Sequence, residues 1–396
     1  MLDFQAVVLA AGKGSRITDL VASDEFKCSI QIANKPMLFY PLRNLQNAGF
    51  TEVTVIVPTK YKPDDTIAGE LQLKIDYVYV NIDTEEQGTA ESVRLIRDKI
   101  KPNRHILLVT CDLVTNIDLS ELCVRQRVSD ALLTALLAPL PPQLSQSSVP
   151  GTRKKYQPER DIVALETETN RLLQFGAVAD YSERIPFCMR ILRQFPNMQV
   201  HSDLLDCHVY ALHPRAVEFI MTNKLLATFK GEVLPKLVLK QFSKKDLKEQ
   251  NRPDGDNFDS LRCYALVSKC FALRVNNLQA YKVANGEVQN IFKELYRPGA
   301  NVSKDEAQPW PRDKVNKNVL GARVTIGQGC KVTSSVLHDD VKISDDAMVI
   351  NSIICRGCVI GAKASVVNSF IGVRAIIPEG RVVNNESIGI SNMEFE

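Results

Sequence analysis

Over residues 318–396 the sequence repeats itself every 17 positions, and that period restricts the fold more than any other feature. Ile326, Ile343, Ile360 and Ile377 form one series, Leu337, Ile354, Ile371 and Ile388 a second, and Val332, Val349, Val366 and Val383 a third. Within one period these apolar positions are spaced six, five and six apart, and Val324, Val341, Cys358 and Ala375 precede the first series by two. Gly327, Gly361, Gly372 and Gly389 directly follow members of the isoleucine and leucine series. A hexapeptide-like rhythm with three short strands per coil predicts a left-handed parallel β-helix in which each coil stacks its apolar residues on the one before. One coil cannot bury its own apolar face, so about four of them fold as one cooperative unit. Its end coil and flat faces present unpaired strand edges or apolar ladders, which proteins cover by associating with a partner.

Three side chains of the repeat invite chemical readings. His338 sits in a coil corner and reads better as a solvated turn residue than as a catalytic base. Cys355 and Cys358 form a lone C-x-x-C, but Cys358 falls on an inward position equivalent to Val341, so core packing explains it better than zinc or redox chemistry.

At the other end, Ala6 to Ala10 is a short apolar, partly β-branched run that suits a strand buried on both faces of a parallel sheet. Gly12 and Gly14, alternating with Lys13 and Ser15, follow it and lead to Arg16. Glycines there let main-chain N–H groups converge on an anion, with Lys13 and Arg16 adding charge. The same pattern also serves as a plain strand-to-helix turn; it is no Walker loop, and Ile17 stands where the dinucleotide fingerprint needs a third glycine. Pro36 to Ala48 has helical spacing and stops at Gly49, Val53–Val57 and Tyr77–Val80 read as strands, 87–97 as a turn feeding a helix, and Ile106–Val109 as a strand ending at Asp112. Alternating strands and helices predict an α/β, doubly wound, mostly parallel sheet with its ligand crevice at the carboxyl ends of the strands.

AAGKGSR followed by Lys27 and by Asn34-Lys35-Pro36-Met37-Leu38 resembles the signature of the nucleotidyltransferase (sugar-nucleotide pyrophosphorylase) family. The resemblance implies a Rossmann-like domain and a nucleotide cleft formed by Gly12, Gly14, Ser15, Arg16, Lys27, Gln87, Gly88, Thr89 and Asp112. In that family the counterparts of Arg16 and Lys27 neutralise phosphates, the stretch resembled by Gln87 to Ala90 reads the base, and the aspartate matched by Asp112 holds Mg²⁺. An aspartate ending a strand also serves as a helix N-cap.

The chain departs from the catalytic pattern in three places. Phe26-Lys27-Cys28 replaces P-K-P, Asp19 replaces a proline near the phosphate cleft, and 161–180 lacks the E-K-P sugar triplet, with no W-x-D-x-G after it. The cleft is therefore expected to be vestigial, with no catalytic residues, no resident metal and no cofactor. A nucleotidyltransferase-like domain joined to a β-helix resembles the two such subunits of the eukaryotic translation initiation factor 2B complex. MLDFQAVVLAAGKGSRITDL, NKPMLFYPLRNLQNAGF and RCYALVSKCFALRVNNLQAY carry that resemblance, and the end soon after the β-helix is similar to the shorter of the two. It implies a non-enzymatic subunit that pairs directly with the epsilon subunit, joins beta, delta and alpha in a larger complex, and assists GDP/GTP exchange on initiation factor 2. Epsilon continues into a helical exchange domain, so the chemistry would reside in the partner. An active sugar-1-phosphate nucleotidyltransferase using Arg16, Lys27, Gln87 and Asp112 is the alternative; an acyltransferase at the β-helix ranks third.

Domain bounds follow: a nucleotidyltransferase-like domain over 1–296 with loop-like insertions near 141–159 and 243–259, a linker at 297–317, and the β-helix at 318–396. The basic cluster Arg153, Lys154, Lys155 lies in the first insertion and reads as a solvated loop. His201 to Tyr210 alternates like a strand near the sheet's edge, and that alternation separates His201, Asp203, Asp206, Cys207 and His208 rather than gathering them round a metal. With 49 basic and 46 acidic residues the net charge of +3 argues against a dedicated nucleic-acid or membrane surface. The ten cysteines are scattered singly and no secretory signal opens the chain, which predicts free thiols in a reducing cytosol. Ala131 to Leu140, the longest apolar run, is about half a membrane span.

Overall fold

The computed structural model describes residues 1–12, 14, 17, 26–81, 88–146, 160–181, 184–242, 262–292, 315–316 and 318–389. The elements before residue 140 are β1 (Phe4–Leu9), β2 (Gln31–Ile32), β3 (Lys35–Pro36), α1 (Phe39–Asn47), β4 (Glu52–Pro58), α2 (Asp65–Glu70), β5 (Lys74–Val80), α3 (Thr89–Leu95), β6 (His105–Thr110), β7 (Leu113–Thr115), α4 (Leu119–Val128) and β8 (Leu133–Pro139). There follow α5 (Pro142–Gln146), β9 (Asp161–Glu166), β10 (Leu172–Ala177), α6 (Met189–Gln194), β11 (Met198–His201), β12 (Leu204–Leu212), α7 (Pro214–Thr222), α8 (Leu234–Lys240), β13 (Cys263–Val267), β14 (Ala272–Arg274) and α9 (Leu278–Ile291). The chain forms two compact units, and they are not consecutive blocks of sequence: 1–12, 38–141 and 158–274 make the first, while 13–37, 142–157 and 275–396 make the second. The expected linker at 297–317 falls outside the described residues except for Val315 and Asn316.

In the first unit a seven-stranded sheet runs in the order β13-β8-β12-β6-β1-β4-β5. β1 pairs in parallel with both β4 and β6, so every residue from Phe4 to Leu9 is buried, as an apolar central strand requires. β12 differs from the expectation of an edge position: it lies inside the sheet, antiparallel to both β6 and β8. Its four consecutive residues Val209, Tyr210, Ala211 and Leu212, with Leu204 and Cys207 before them, are mostly apolar and buried, and the polar alternation at its start belongs to a bulge rather than to a solvent face. The run Ala131–Leu140 is β8, a buried strand. α1 ends where Gly49 adopts φ +87, with Gly49 N donating to Gln46 O (2.9 Å) and Phe50 N to Leu45 O (3.1 Å); this closes the last turn and returns the chain into β4.

The second unit contains the predicted left-handed β-helix, built as three parallel sheets whose register advances by one repeat: Val332↔Val349↔Val366↔Val383, Leu337↔Ile354↔Ile371↔Ile388 and Ile326↔Ile343↔Ile360↔Ile377. Each corner turns through a left-handed residue. One corner uses Arg323, Asp340, Gly357 and Arg374, the next Gly329, Asp346, Lys363 and Gly380, and the third Ser334, Asn351, Asn368 and Asn385. Asparagine and aspartate tolerate this conformation because their short side chains bond locally or to neighbours, and Asn351 Nδ2 donates to Asn368 Oδ1 at 2.7 Å. Inside the third corner the hydroxyls of Ser335, Ser352 and Ser369 are buried; each accepts the N–H one repeat later, from Ser352, Ser369 and Glu386 (3.0–3.2 Å), and donates to a carbonyl two residues earlier. Cys358 is fully buried on its inward position, and all ten cysteines are free thiols.

α9 belongs to this unit and covers one outer face of the coils, which is why the outward residues Val336, Ile353 and Phe370 are buried. Tyr281 meets Phe370 edge to face at 6.2 Å. The hairpin β2–β3 is fixed to the same place. Tyr281 Oη donates to Gln31 O (2.8 Å), Gln31 Nε2 to Asp339 Oδ2 (2.9 Å), and Asn285 Oδ1 accepts Ala33 N (2.8 Å). His338 is buried beside them, 3.4 Å from Tyr281 Oη, so it is not a solvated turn residue; the helix that covers it comes from another part of the chain. Burial, reinforced by the charge of Arg356, lowers its pKa to about 3.

Candidate functional site

The cleft expected from the sequence is described in part: Ser15, Arg16, Gln87 and Lys13 lie outside the described residues. In the second unit Gly14 has φ +75 and closes a turn to Ile17, and a Cβ there would lie 3.2 Å from the Cβ of Lys27, so glycine lets the backbone pass close against the lysine. Next to it, Cys28 is fully buried and burial pushes its thiol up to about 12, which makes it a core residue without nucleophilic character.

In the first unit Gly12 follows the carboxyl end of β1, and among the described residues beyond its chain neighbours no atom stands within 4 Å of a Cβ built on it. Gly88 caps α3, where a Cβ would stand 2.0 Å from Ala227 O. Ala90 N donates to that same carbonyl (2.9 Å), and Thr89 Oγ1 accepts Phe229 N (2.7 Å). Gly88 and Thr89 are therefore stitched to the 227–229 segment: the glycine serves close packing of two backbones, and the threonine hydroxyl already holds an internal partner.

Asp112 lies at the carboxyl end of β6, 3 % exposed, as expected of the strand ends. Thr110 Oγ1 donates to its Oδ1 (2.7 Å), and Arg274 Nη2, from β14, donates to its Oδ2 (3.1 Å). It is not a helix N-cap. Arg274 Nη1 also contacts His208 Nε2 at 2.9 Å. A guanidinium only donates, so Nε2 is the lone-pair nitrogen and His208 is a neutral imidazole protonated on Nδ1. His208 N donates to Asp206 Oδ1 (2.9 Å), and Tyr210 Oη donates to Asp206 Oδ2. Asp206 N reaches Asp161 Oδ2 (3.4 Å), and Lys230 Nζ stands 2.9 Å from Asp161 Oδ1. The Phe229 ring lies 4.2 Å from that of Tyr210, so the Thr89 segment and the Asp112 carboxylate are the two ends of one chain of contacts.

A bulge in β12 assembles this network. His208 takes φ +53 and the register slips between Asp206 and Tyr210, so side chains that strict alternation would send to opposite faces meet in one cluster. His201 and Asp203 stay outside it, 3.7 Å from each other. Among the described residues no three His, Cys, Asp or Glu side chains are placed to hold a metal ion. The three buried acids Asp112, Asp161 and Asp206 face Arg274, Lys230 and the His208 imidazole. Burial raises Asp206 to about 6, against the pull of Lys230 and Tyr210. Burial also works against the charge on Arg274, but Asp112 and Asp206 more than compensate and raise its pKa.

A family member's Mg²⁺ does not fit this geometry. A divalent cation seeks a carboxylate whose charge faces the cleft. Here the charge is matched by Arg274, and a unit charge held at 4 Å repels another by about 4 kcal/mol at the effective dielectric of a protein site. Arg274, Lys230, Tyr210 and Asp161 carried no signal in the sequence, since they are far apart along the chain and only tertiary pairing joins them to Asp112.

Residues 5–145 match the family model described as nucleotidyl transferase, and residues 300–394 match the model of the GMPPB C-terminal domain. The first domain is a nucleotidyltransferase domain. Beyond that domain, the chain is similar to the gamma subunit of translation initiation factor eIF2B from Caenorhabditis elegans, 27 % identical over 74 % of this chain and 70 % of the relative. The gamma subunit of Dictyostelium discoideum is 23 % identical over 83 % of this chain and 86 % of the relative. The epsilon subunit of Schizosaccharomyces pombe is 21 % identical over 83 % of this chain but only 47 % of its own length. Similarity to eIF2B gamma thus covers 74–83 % of this chain, well beyond the 5–145 match. Among the described residues no helix is long and apolar enough to cross a membrane.

Proposed function

We propose that the chain acts in translation initiation as a gamma-type subunit of an eIF2B complex, pairing with an epsilon-type subunit in the cytosol and supporting GDP/GTP exchange on initiation factor 2 without turning over nucleotide itself. The similarity to eIF2B gamma over 74–83 % of the chain carries the subunit role. The Asp112–Arg274 ion pair supports the non-catalytic part: an internal cation neutralises the carboxylate that a pyrophosphorylase would give to its metal. Gly12, Gly14, Ser15, Arg16, Lys27, Gln87, Gly88, Thr89 and Asp112 are, in this reading, the remains of a nucleotide cleft. What the subunit contributes is surface and orientation, and binding energy toward the nucleotide-free GTPase drives release.

The test has two arms. Tagged chain recovered from native cytosol is expected to bring down an epsilon-type protein in stoichiometric amount; recovery as a lone chain refutes the subunit role. Purified chain with Mg²⁺, nucleoside triphosphates and sugar 1-phosphates is expected to release no pyrophosphate above a denatured control. Release that disappears in Asp112→Asn would establish the alternative, an active sugar-1-phosphate nucleotidyltransferase.

A further inference from the structure

Remote from Asp112 and its network, the turn after β9 presents an arginine with an unusual environment. Arg171 precedes β10, its guanidinium lying over the ring of Phe195 at 5.2 Å and that of Phe242 at 5.6 Å. Its Nε donates to Gln241 Oε1 (3.0 Å). Gln241 is itself fixed, since Oε1 also accepts Cys263 N (3.2 Å) and Nε2 donates to Leu172 O (2.6 Å). Arg190 Nη1 donates to Phe242 O (3.0 Å), which secures one of the two rings.

This clamp leaves the forked edge of the guanidinium. Of five N–H donors only the one on Nε has an acceptor among the described residues, and no carboxylate there pairs with the half-buried charge. The charge of Glu166 acts on Arg171, but its carboxylate accepts the N–H (2.8 Å) and hydroxyl of Thr169. Exposed Arg262 adds a second positive charge close by. Burial pulls the Arg171 pKa below its ordinary value, and repulsion from Arg262 adds to that. A guanidinium packed against two rings that meet edge to face at 6.0 Å, oriented by a fixed amide and without a carboxylate partner among the described residues, is pre-organised for a planar, two-oxygen partner.

We propose that Arg171 anchors a binding site for an oxyanion on a partner protein segment, either an acidic side chain or a phosphorylated serine or threonine. A peptide fits better than RNA. One fork with one flanking arginine offers a single anionic contact, whereas RNA affinity is built from many phosphates along a basic track, and this chain has a net charge of only +3.

The experiment uses the full chain and fluorescence anisotropy with labelled peptides of one otherwise uncharged sequence whose central residue is serine, glutamate or phosphoserine, with poly(U) as a further probe. Wild-type protein is expected to bind the glutamate or phosphoserine form and not the serine form, which also tells the two oxyanion sources apart. Arg171→Gln should weaken that binding about tenfold or more, and Arg171→Lys, which keeps the charge and loses the fork, nearly as much. Arg262→Gln, an exposed change that leaves the clamp intact, should weaken it by a smaller factor. Circular dichroism and thermal melts confirm that the variants are folded. Binding unchanged in both Arg171 variants, no binding of any anionic peptide, or Arg171-dependent binding of poly(U) alone would each overturn the proposal.

Discussion

Asp112 and Arg274 stand 162 residues apart in the chain, yet each supplies the other's counter-charge. Removing one partner of a buried pair strands the other, so Arg274→Gln is expected to destabilise the first unit by roughly 3–5 kcal/mol, read from urea unfolding. Asp112→Asn in the same chain should restore part of that loss, because the uncompensated carboxylate is then gone; a double variant no better than the single one would show that the two do not interact. Ser352 makes a similar point in the β-helix. Its hydroxyl accepts Ser369 N, and Ser352→Ala leaves that buried N–H without a partner, at a cost of about 1–3 kcal/mol in the same measurement.

At the scale of elements, the hairpin β2–β3 is shaped from outside. Its turn holds Ala33 at φ +44 and Asn34 at φ +65, a conformation that glycine adopts easily and alanine does not. Asn285 on α9 offsets that strain by accepting Ala33 N. Asn285→Ala should therefore loosen the hairpin, visible as faster hydrogen exchange over 31–36 with the coils unchanged, and Ala33→Gly should restore about 1 kcal/mol. The 17-residue repeat, β1, α1 with its stop at Gly49, and the strand ending at Asp112 were all legible beforehand, because each is written in the spacing of neighbouring residues. β12 was not: an interior antiparallel strand with a bulge carries the same short-range pattern as an edge strand, and only its pairing with β6 and β8 tells them apart. His338 misled for a related reason, since the helix that buries it is encoded some fifty residues upstream. In the site, Gly88, Thr89 and Asp112 could be named from a motif, while Arg274 and Lys230 could be found only in three dimensions.

For the whole molecule, acid acts with opposite sign on two buried groups, one in each unit. His338 has a folded pKa near 3, below its unfolded value of 6.5, so its neutral form contributes stability that is complete above pH 6.5 and is lost as pH falls toward 3; at pH 5 the loss is about 2 kcal/mol. Asp206 has a folded pKa near 6, above its unfolded 3.8, so the first unit is favoured at low pH and loses that contribution as pH rises through 6. Between pH 7 and 5 the β-helix should become easier to open, as segment-resolved hydrogen exchange corrected for intrinsic rates would report, and His338→Phe should abolish that response. The bond between Gln31 and Asp339 has one more consequence, for timing at the ribosome. The two ends of that bond are 308 residues apart, a distance that takes roughly 15–60 s to translate. The hairpin that follows the glycine loop is made among the first residues of the chain, but it must wait for nearly the last of them before it can take its final shape, and until then a nascent polypeptide carries that segment unanchored past any chaperone it meets.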